Sequence, residues 1–395
     1  MTTSIDVLSV LLEDLSSSSP ENQASLTRFL EVIDDAFQND QFDIIEQIYA
    51  KLKQRYEQYH QMANQHQFPM SSIVSKLARI PSQSGLDMLL QIVAKGMIDA
   101  PLYNLASKVA AAHPLDKLYE LFQKQIAEKD IEGAIFVEIF LCIIAQEILL
   151  LRAVDIEQNE IIKQFLDGVQ HHEAFDIQQM LWLPRTLMPV EQAVQAKLPR
   201  IKISEYGNMS FGVTRRNLFL ETDKDQTDIS KRSIIISTRE CTQAFIYKNI
   251  IEPIQKWHRF TAHVFEFNVP LEAKTLSPNV LSQLGAECFE DSDHIALKAI
   301  TLNGAYLDLF QTSLGPIPEM QFASGRYRTW KALGGLSGAP SDASVEEINT
   351  LCNECWWFGF NADGKWFYDN SLDIGLIALR PDGKSLALLA ATATD

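Results

Sequence analysis

The chain reads as an α+β protein. Its N-terminal half is an all-α helical array or bundle, and its C-terminal domain is a mainly antiparallel sheet with covering helices. Three observations carry this. Apolar residues recur at helical spacing from the start to about residue 183. Three prolines, Pro184, Pro189 and Pro199, then interrupt the pattern. Beyond Ile201 the period changes, and the chain closes on two turn-punctuated aromatic and aliphatic runs between Cys352 and Asp395. We therefore expect a helical domain over 1–183, a linker over 184–200 and an α+β domain over 201–395.

The elements follow in order. Leu8, Leu11, Leu12 and Leu15 share one helical face. Ser19-Pro20-Glu21-Asn22 has the form of a cap with proline at the first helical position. The next helix carries Leu26, Phe29, Leu30 and Ile33. Another runs from Phe42 to about Gln65, with a break expected at Pro69 and Met70-Ser71-Ser72. Ile73–Ile80, Gly85–Met97, Leu102–Ala112 and Leu115–Ile126 read as short amphipathic helices punctuated by Pro81, Pro101 and Pro114. This rhythm resembles a helical solenoid, although the sequence shows no fixed-period repeat. Ala134–Leu151 is the most apolar stretch. It carries Glu138, Gln146 and Glu147, and two carboxylates in hydrocarbon are costly, so it reads as a core helix and not a membrane span.

In the second half, Ile201–Thr222 reads as two strands and Asp223–Lys231 as a polar loop. Ser233–Ser237 reads as a buried strand, Gln243–Trp257 as an amphipathic helix and Ala262–Val269 as a strand, which makes one strand–helix–strand unit. Leu302–Leu314 is a helix with Tyr306, Leu309 and Phe310 facing in. Gly315–Asp342, rich in Gly and Pro and interrupted by GRYRTWKAL, reads as a loop, and Val345–Cys355 as the last helix. Two hairpins end the chain, Trp356–Phe360 with Lys365–Tyr368 and Ile374–Arg380 with Ser385–Ala391, each turning on Asp-Gly.

Composition is that of an ordinary globular chain, with 46% hydrophobic and 22% charged residues. A formal net charge of −17 gives no general attraction to nucleic acid or anionic membrane. Five cysteines are a low, odd count, and MTTSIDVLSVLLED lacks the basic start of a signal peptide, so a reducing cytoplasm is expected.

Five stretches are candidates for chemistry or binding. Ser237-Thr238-Arg239-Glu240-Cys241 falls where a buried strand hands over to a helix. There an anion site forms readily, and a thiol near the helix N-terminus has a depressed pKa, so Arg239 and Cys241 are candidates. Ser324 to Lys331 sets Arg326, Arg328 and Lys331 beside Tyr327 and Trp330. Arg326 and Arg328 suit a carboxylate or phosphate, with Tyr327 and Trp330 as stacking faces. Each has a plain alternative: a solvated arginine and a core cysteine in the first, internal ion pairs in the second. Cys352-x-x-Cys355 is at most half a zinc site. His171-His172-Glu173 with Asp176 gives two or three ligands on a polar helix, and His258 and His263 are general-base candidates with no nucleophile at a telling spacing. No motif demands a metal or cofactor. The acidic helical half is a docking surface for a basic protein partner, or simply a solubilising one.

The stretch from Gly325 to Pro340 (G-R-Y-x-x-W-x-x-L-x-G-L-x-G-A-P), with WWFGF, WFYD, IGLIALRPDG and the ATATD end, resembles a family of uncharacterised bacterial proteins without assigned activity. The resemblance rests on the C-terminal fifth and implies a bacterial cytoplasmic protein. It carries no functional residue with it. The expected function is a protein-interaction or ligand-binding module. The alternative is an enzyme acting on an anionic or phosphorylated small substrate near Arg239/Cys241 and Arg326/Arg328.

Overall fold

The computed structural model describes residues 22–58, 63–96, 102–127, 134–195, 201–203, 209–211, 237–255, 257–314, 321–368 and 373–393. The leucine face at residues 8–15, the cap at Ser19-Pro20, the polar loop at 223–231 and all but the last residue of the 233–237 strand lie outside them. The chain falls into two compact units, one formed mainly by residues 1–152 with 158–173, the other mainly by 174–202 with 210–395.

The first unit is helical: α1 (Asn22–Gln38), α2 (Phe42–Gln58), α3 (Ala63–Leu77), α4 (Gln83–Ala94), α5 (Leu102–Ala112), α6 (Leu115–Ala127), α7 (Ala134–Arg152) and α8 (Glu160–Val169). The expected break at Pro69 is absent, because α3 runs through it. Side chains cap the starts where polar residues allow. Ser82 Oγ accepts from Gly85 N at 3.4 Å, and Asn159 Oδ1 from Ile162 N at 3.0 Å. By length and composition α7 is apolar enough to cross a membrane, yet Ile139 to Leu150 are all buried within the unit, as a core helix requires. Each large apolar side chain buried this way contributes about 1.5–3 kcal/mol.

A short two-stranded pair is made by β1 (Ile201–Ile203) and β2 (Met209–Phe211). The second unit holds α9 (Phe175–Trp182), α10 (Pro189–Val194), β3 (Thr238–Glu240), α11 (Ala244–Ile251), β4 (Arg259–Phe267), α12 (Pro278–Leu281), β5 (Ile295–Ile300), α13 (Leu302–Ser313), α14 (Phe322–Ser337), α15 (Val345–Glu354), β6 (Trp356–Ala362), β7 (Ile374–Leu379) and β8 (Ser385–Thr392). Its main sheet has six strands in the order β3-β4-β8-β7-β6-β5, antiparallel throughout. One face buries Phe265, Phe267, Leu386, Leu388, Ile377, Phe358 and Phe360 under the segment that runs from Leu271 to Phe289. Helices α11, α13 and α14 cover the other.

The α+β class holds, and so does the second hairpin, with Ile374 opposite Ala391 and Leu379 opposite Leu386. Two readings change. The first hairpin does not form, because β6 pairs with β5 and β7. Trp366 and Phe367 are both buried in one cluster, their rings 4.7 Å apart, whereas neighbours in a strand would face opposite ways. Gly315–Asp342 is not a loop at its centre but carries the 16-residue α14. The strand–helix–strand order is present as β3, α11 and β4, with β3 antiparallel to β4.

Candidate functional site

Helix α14 settles where most of the sequence-nominated side chains go. Its periodicity turns Arg326 and Trp330, four residues apart, to the same inner face. Both are wholly buried. They converge on Glu191 of α10, itself 1% exposed. The Arg326 fork donates from Nε to Glu191 Oε1 and from Nη2 to Oε2, each at 2.7 Å. Trp330 Nε1 donates to Oε1 at 2.8 Å and Tyr306 Oη at 2.9 Å, while Met188 N reaches Oε2 at 2.7 Å. The remaining Arg326 donors meet Pro184 O (2.8 Å) and Thr186 O (2.9 Å). Burial opposes ionisation of Glu191, but the adjacent guanidinium more than offsets it and holds the carboxyl below its ordinary range. Arg326 and Trp330 thus share one internal carboxylate, out of reach of a ligand in solvent.

Arg328 lies on the half-buried flank of α14, donating to Ser313 O at 3.3 Å. Tyr327 meets Trp182 edge-on at 5.5 Å, and Lys331 Nζ sits 4.8 Å from the Trp182 ring. Arg239 and Cys241 are elsewhere, at the β3 edge. Arg239 pairs with the exposed Glu266 at 2.5 Å. Cys241 does not open a helix: its N–H bonds to Val264 O at 2.8 Å, prolonging the ladder, and α11 begins only at Ala244. Burial, then the nearby Glu266, pushes its thiol pKa up, the reverse of the expected activation. Cys352 and Cys355 are buried and unbridged. Among the described residues no three His, Cys, Asp or Glu side chains are grouped to hold a metal. His172 faces Glu138 at 3.2 Å.

The same edge holds an arrangement that the sequence reading missed. Thr261 and His263 are alternate residues of β4 and share a face. Thr261 Oγ1 and His263 Nε2 are 2.7 Å apart, and His263 Nδ1 is 2.9 Å from Glu240 Oε1 on β3. Thr242 Oγ1 donates to the same Glu240 oxygen at 3.0 Å and accepts from Val264 N at 2.9 Å, which fixes the carboxylate. An ionised carboxylate only accepts, so Nδ1 carries a proton, and whenever the ring is neutral its Nε2 lone pair meets the threonine hydroxyl. The hydrogen bond from His263, above all, holds the Glu240 carboxyl below its ordinary range. The imidazole stacks on Phe265, centroids 5.6 Å apart. Thr261 is buried, His263 half-buried and Glu240 open to solvent. Two residues before Thr261, about 6.6 Å along the strand, Arg259 shares this face. Its Nη1 donates to Lys365 O (3.2 Å) and Trp366 O (3.0 Å), and its guanidinium lies 5.5 Å from the Tyr368 ring. His258 meets that ring edge-on at 5.9 Å.

The order hydroxyl, Nε2, Nδ1, carboxylate is that of a nucleophile, its base and the group that orients the base. The sequence carried a partial signal, a T-x-H step inside a strand. Glu240 joins only through the register that sets it opposite Phe265.

The fold and this edge define a two-unit α+β protein with a polar face at one end of its main sheet. The chain belongs to a family of unknown function (DUF6183), whose model matches residues 27–395. The likeness first seen at Gly325–Asp395 therefore extends over nearly the whole chain and is not confined to its last fifth. No curated protein and no solved structure matches it.

Proposed function

We propose that the second unit handles a small acyl substrate at the β3–β4 edge, with Thr261 as nucleophile, His263 as general base and Glu240 as its positioning residue. The support is the unbroken chain of hydrogen bonds at 2.7 and 2.9 Å in catalytic order. In the step it implies, Thr261 Oγ1 bonds to the acyl carbon and its proton passes to His263 Nε2. Glu240 offsets the imidazolium charge. The bond to the leaving alcohol breaks, and His263 returns the proton to it. Water, activated by the same imidazole, then frees the acid from Thr261. Arg259, on the same face, favours a substrate with an anionic group. The test is an alkyl fluorophosphonate probe followed by peptide mass analysis. An adduct on Thr261 that is lost in Thr261→Val and weakened in Glu240→Gln supports the reading. An unmodified Thr261 in the wild type overturns it.

A second reading concerns the first unit. Residues 1–183 hold 26 of the 51 acidic residues but only 13 of the 34 basic ones. That asymmetry favours a basic protein partner on the helical half. Titrating the chain with a lysine-rich peptide should show binding that salt abolishes and that an equally long neutral peptide lacks; equal binding of the two would remove the reading. A bacterial cytoplasmic setting accompanies both readings, supported by the five unbridged cysteines.

A further inference from the structure

Arg259, Thr261 and His263 are alternate residues of β4 and stand in line on one face. Arg259 is exposed, yet its position is fixed. Its Nη1 donates to Lys365 O at 3.2 Å and Trp366 O at 3.0 Å, and its guanidinium carbon lies 5.5 Å from the Tyr368 ring and 6.0 Å from that of Trp366. These contacts use one side of the fork. Nε and Nη2, its other donors, meet no acceptor among the described residues. Arg259 is paired in register with Thr392, whose hydroxyl donates to Asp373, but Asp373 makes no ion pair with the guanidinium.

Arg326 shows what such an arrangement suits. It too sets Nη1 on a backbone carbonyl, Pro184 O, and it turns Nε and Nη2 to the two oxygens of Glu191. Arg259 presents the same bidentate edge at the surface. Arg239 on the neighbouring strand does not, because Glu266 takes its Nη2.

The order of groups along β4 decides which half of a substrate reaches Arg259. His263 returns its proton to the leaving oxygen, so the leaving alcohol lies toward His263. The acyl chain then runs the other way, toward Arg259. Charge agrees with this direction, since Glu240 stands at the His263 end and would repel an anionic alcohol. Thr261 and Arg259 are about 6.6 Å apart along the strand. At roughly 1.2 Å of extension per bond, about five bonds cover that span. Counted from Thr261 Oγ1, that is the reach of a glutaryl group.

We propose that the substrate is a hemiester of a dicarboxylic acid of about five carbons, its free carboxylate held by the Nε and Nη2 edge of Arg259. This rests on the reading of Thr261 as nucleophile. Thr261 Oγ1 bonds to the ester carbon, its proton passes through His263 to the departing alcohol, and water then releases the diacid. The carboxylate on Arg259 is unchanged throughout.

The test gives the full chain three esters: monoethyl glutarate, ethyl pentanoate, and the pentanoyl ester of glycolate, whose carboxylate is on the alcohol half. Released acid is measured by chromatography. The wild type should cleave monoethyl glutarate at least about tenfold faster, in kcat/KM, than either of the others. Arg259→Gln should bring that ratio near one, and Arg259→Lys, which keeps the charge without the fork, should retain part of it. Labelling of Thr261 by an uncharged fluorophosphonate, run alongside, separates this inference from the reading beneath it. If Thr261 labels but the wild type does not prefer monoethyl glutarate to ethyl pentanoate, the dicarboxylate assignment alone is overturned. A preference for the glycolate ester overturns it too, as does a preference for monoethyl glutarate that survives Arg259→Gln. An unlabelled Thr261 removes both. The wild-type comparison holds whether or not the variants fold.

Discussion

Glu191 and Glu240 each anchor a hydrogen-bond network in the second unit, and the two networks differ in what they leave over. Around Glu191 the carboxylate takes five donors, and the arginine opposite it spends its remaining donors on backbone carbonyls. Nothing there meets water. Around Glu240 the carboxylate is 52% exposed, and the chain that starts from it ends on a hydroxyl through a basic nitrogen. A saturated network fixes geometry. A network that ends on a hydroxyl at a sheet edge leaves over the group that the proposed reaction uses. The sequence offers a glutamate in both places, and the surroundings separate the two.

The largest expected effect lies on the sealed side. Glu191→Ala leaves the Arg326 charge buried and unmet, and should cost about 3–5 kcal/mol of stability, seen as a large fall in Tm. Replacing both partners, Glu191→Met with Arg326→Met, should recover much of that loss. A Glu191→Ala protein that melts with the wild type would show that the network does not hold α10 to α13 and α14. Next in size, Trp330→Phe removes one hydrogen bond to a charged acceptor and should cost about 1.5–3 kcal/mol.

The pH response sharpens the contrast. Both carboxyls have folded pKa values below their ordinary ones. Each therefore contributes stability that is present above the unfolded value, about 4.3, and is lost as pH falls through the folded value. For the buried Glu191 this should appear as acid unfolding that Glu191→Gln alters. For the exposed Glu240 solvent screening leaves little to lose. Glu240→Gln should change the acid transition hardly at all, and stability near neutral pH by less than about 1 kcal/mol. A shift in the acid midpoint with Glu240→Gln as large as that with Glu191→Gln would erase the distinction.

What the sequence revealed of this follows from which interactions are local. The helices of the first unit, the inward face of Tyr306, Leu309 and Phe310, and the Ile374–Ala391 hairpin follow from periodicity and turn chemistry. Helix α14 did not, because Gly325, Gly334, Gly335 and Gly338 read as loop residues. Glycine weakens a helix by about 1 kcal/mol relative to alanine, and packing overrides that here. A Cβ on Gly325 would come within 2.9 Å of Ser313 Oγ, and one on Gly335 within 2.7 Å of Ile250 Cγ1. With α14 unrecognised, Arg326 looked like a loop clamp. Its partner Glu191 stood inside what reads as a linker, 135 residues earlier. Glu240 and His263 were each noticed, but only the β3–β4 register puts them together.

The most direct measurement pairs two variants and two readouts. Glu240→Gln and Trp330→Phe are each assayed for Tm and for the rate of fluorophosphonate labelling at Thr261. A crossed result is expected: Glu240→Gln keeps its Tm and loses labelling, and Trp330→Phe loses Tm and, while folded, keeps labelling. If Glu240→Gln labels at the wild-type rate, or if both readouts fall together in both variants, the division between a structural and a working carboxylate is contradicted.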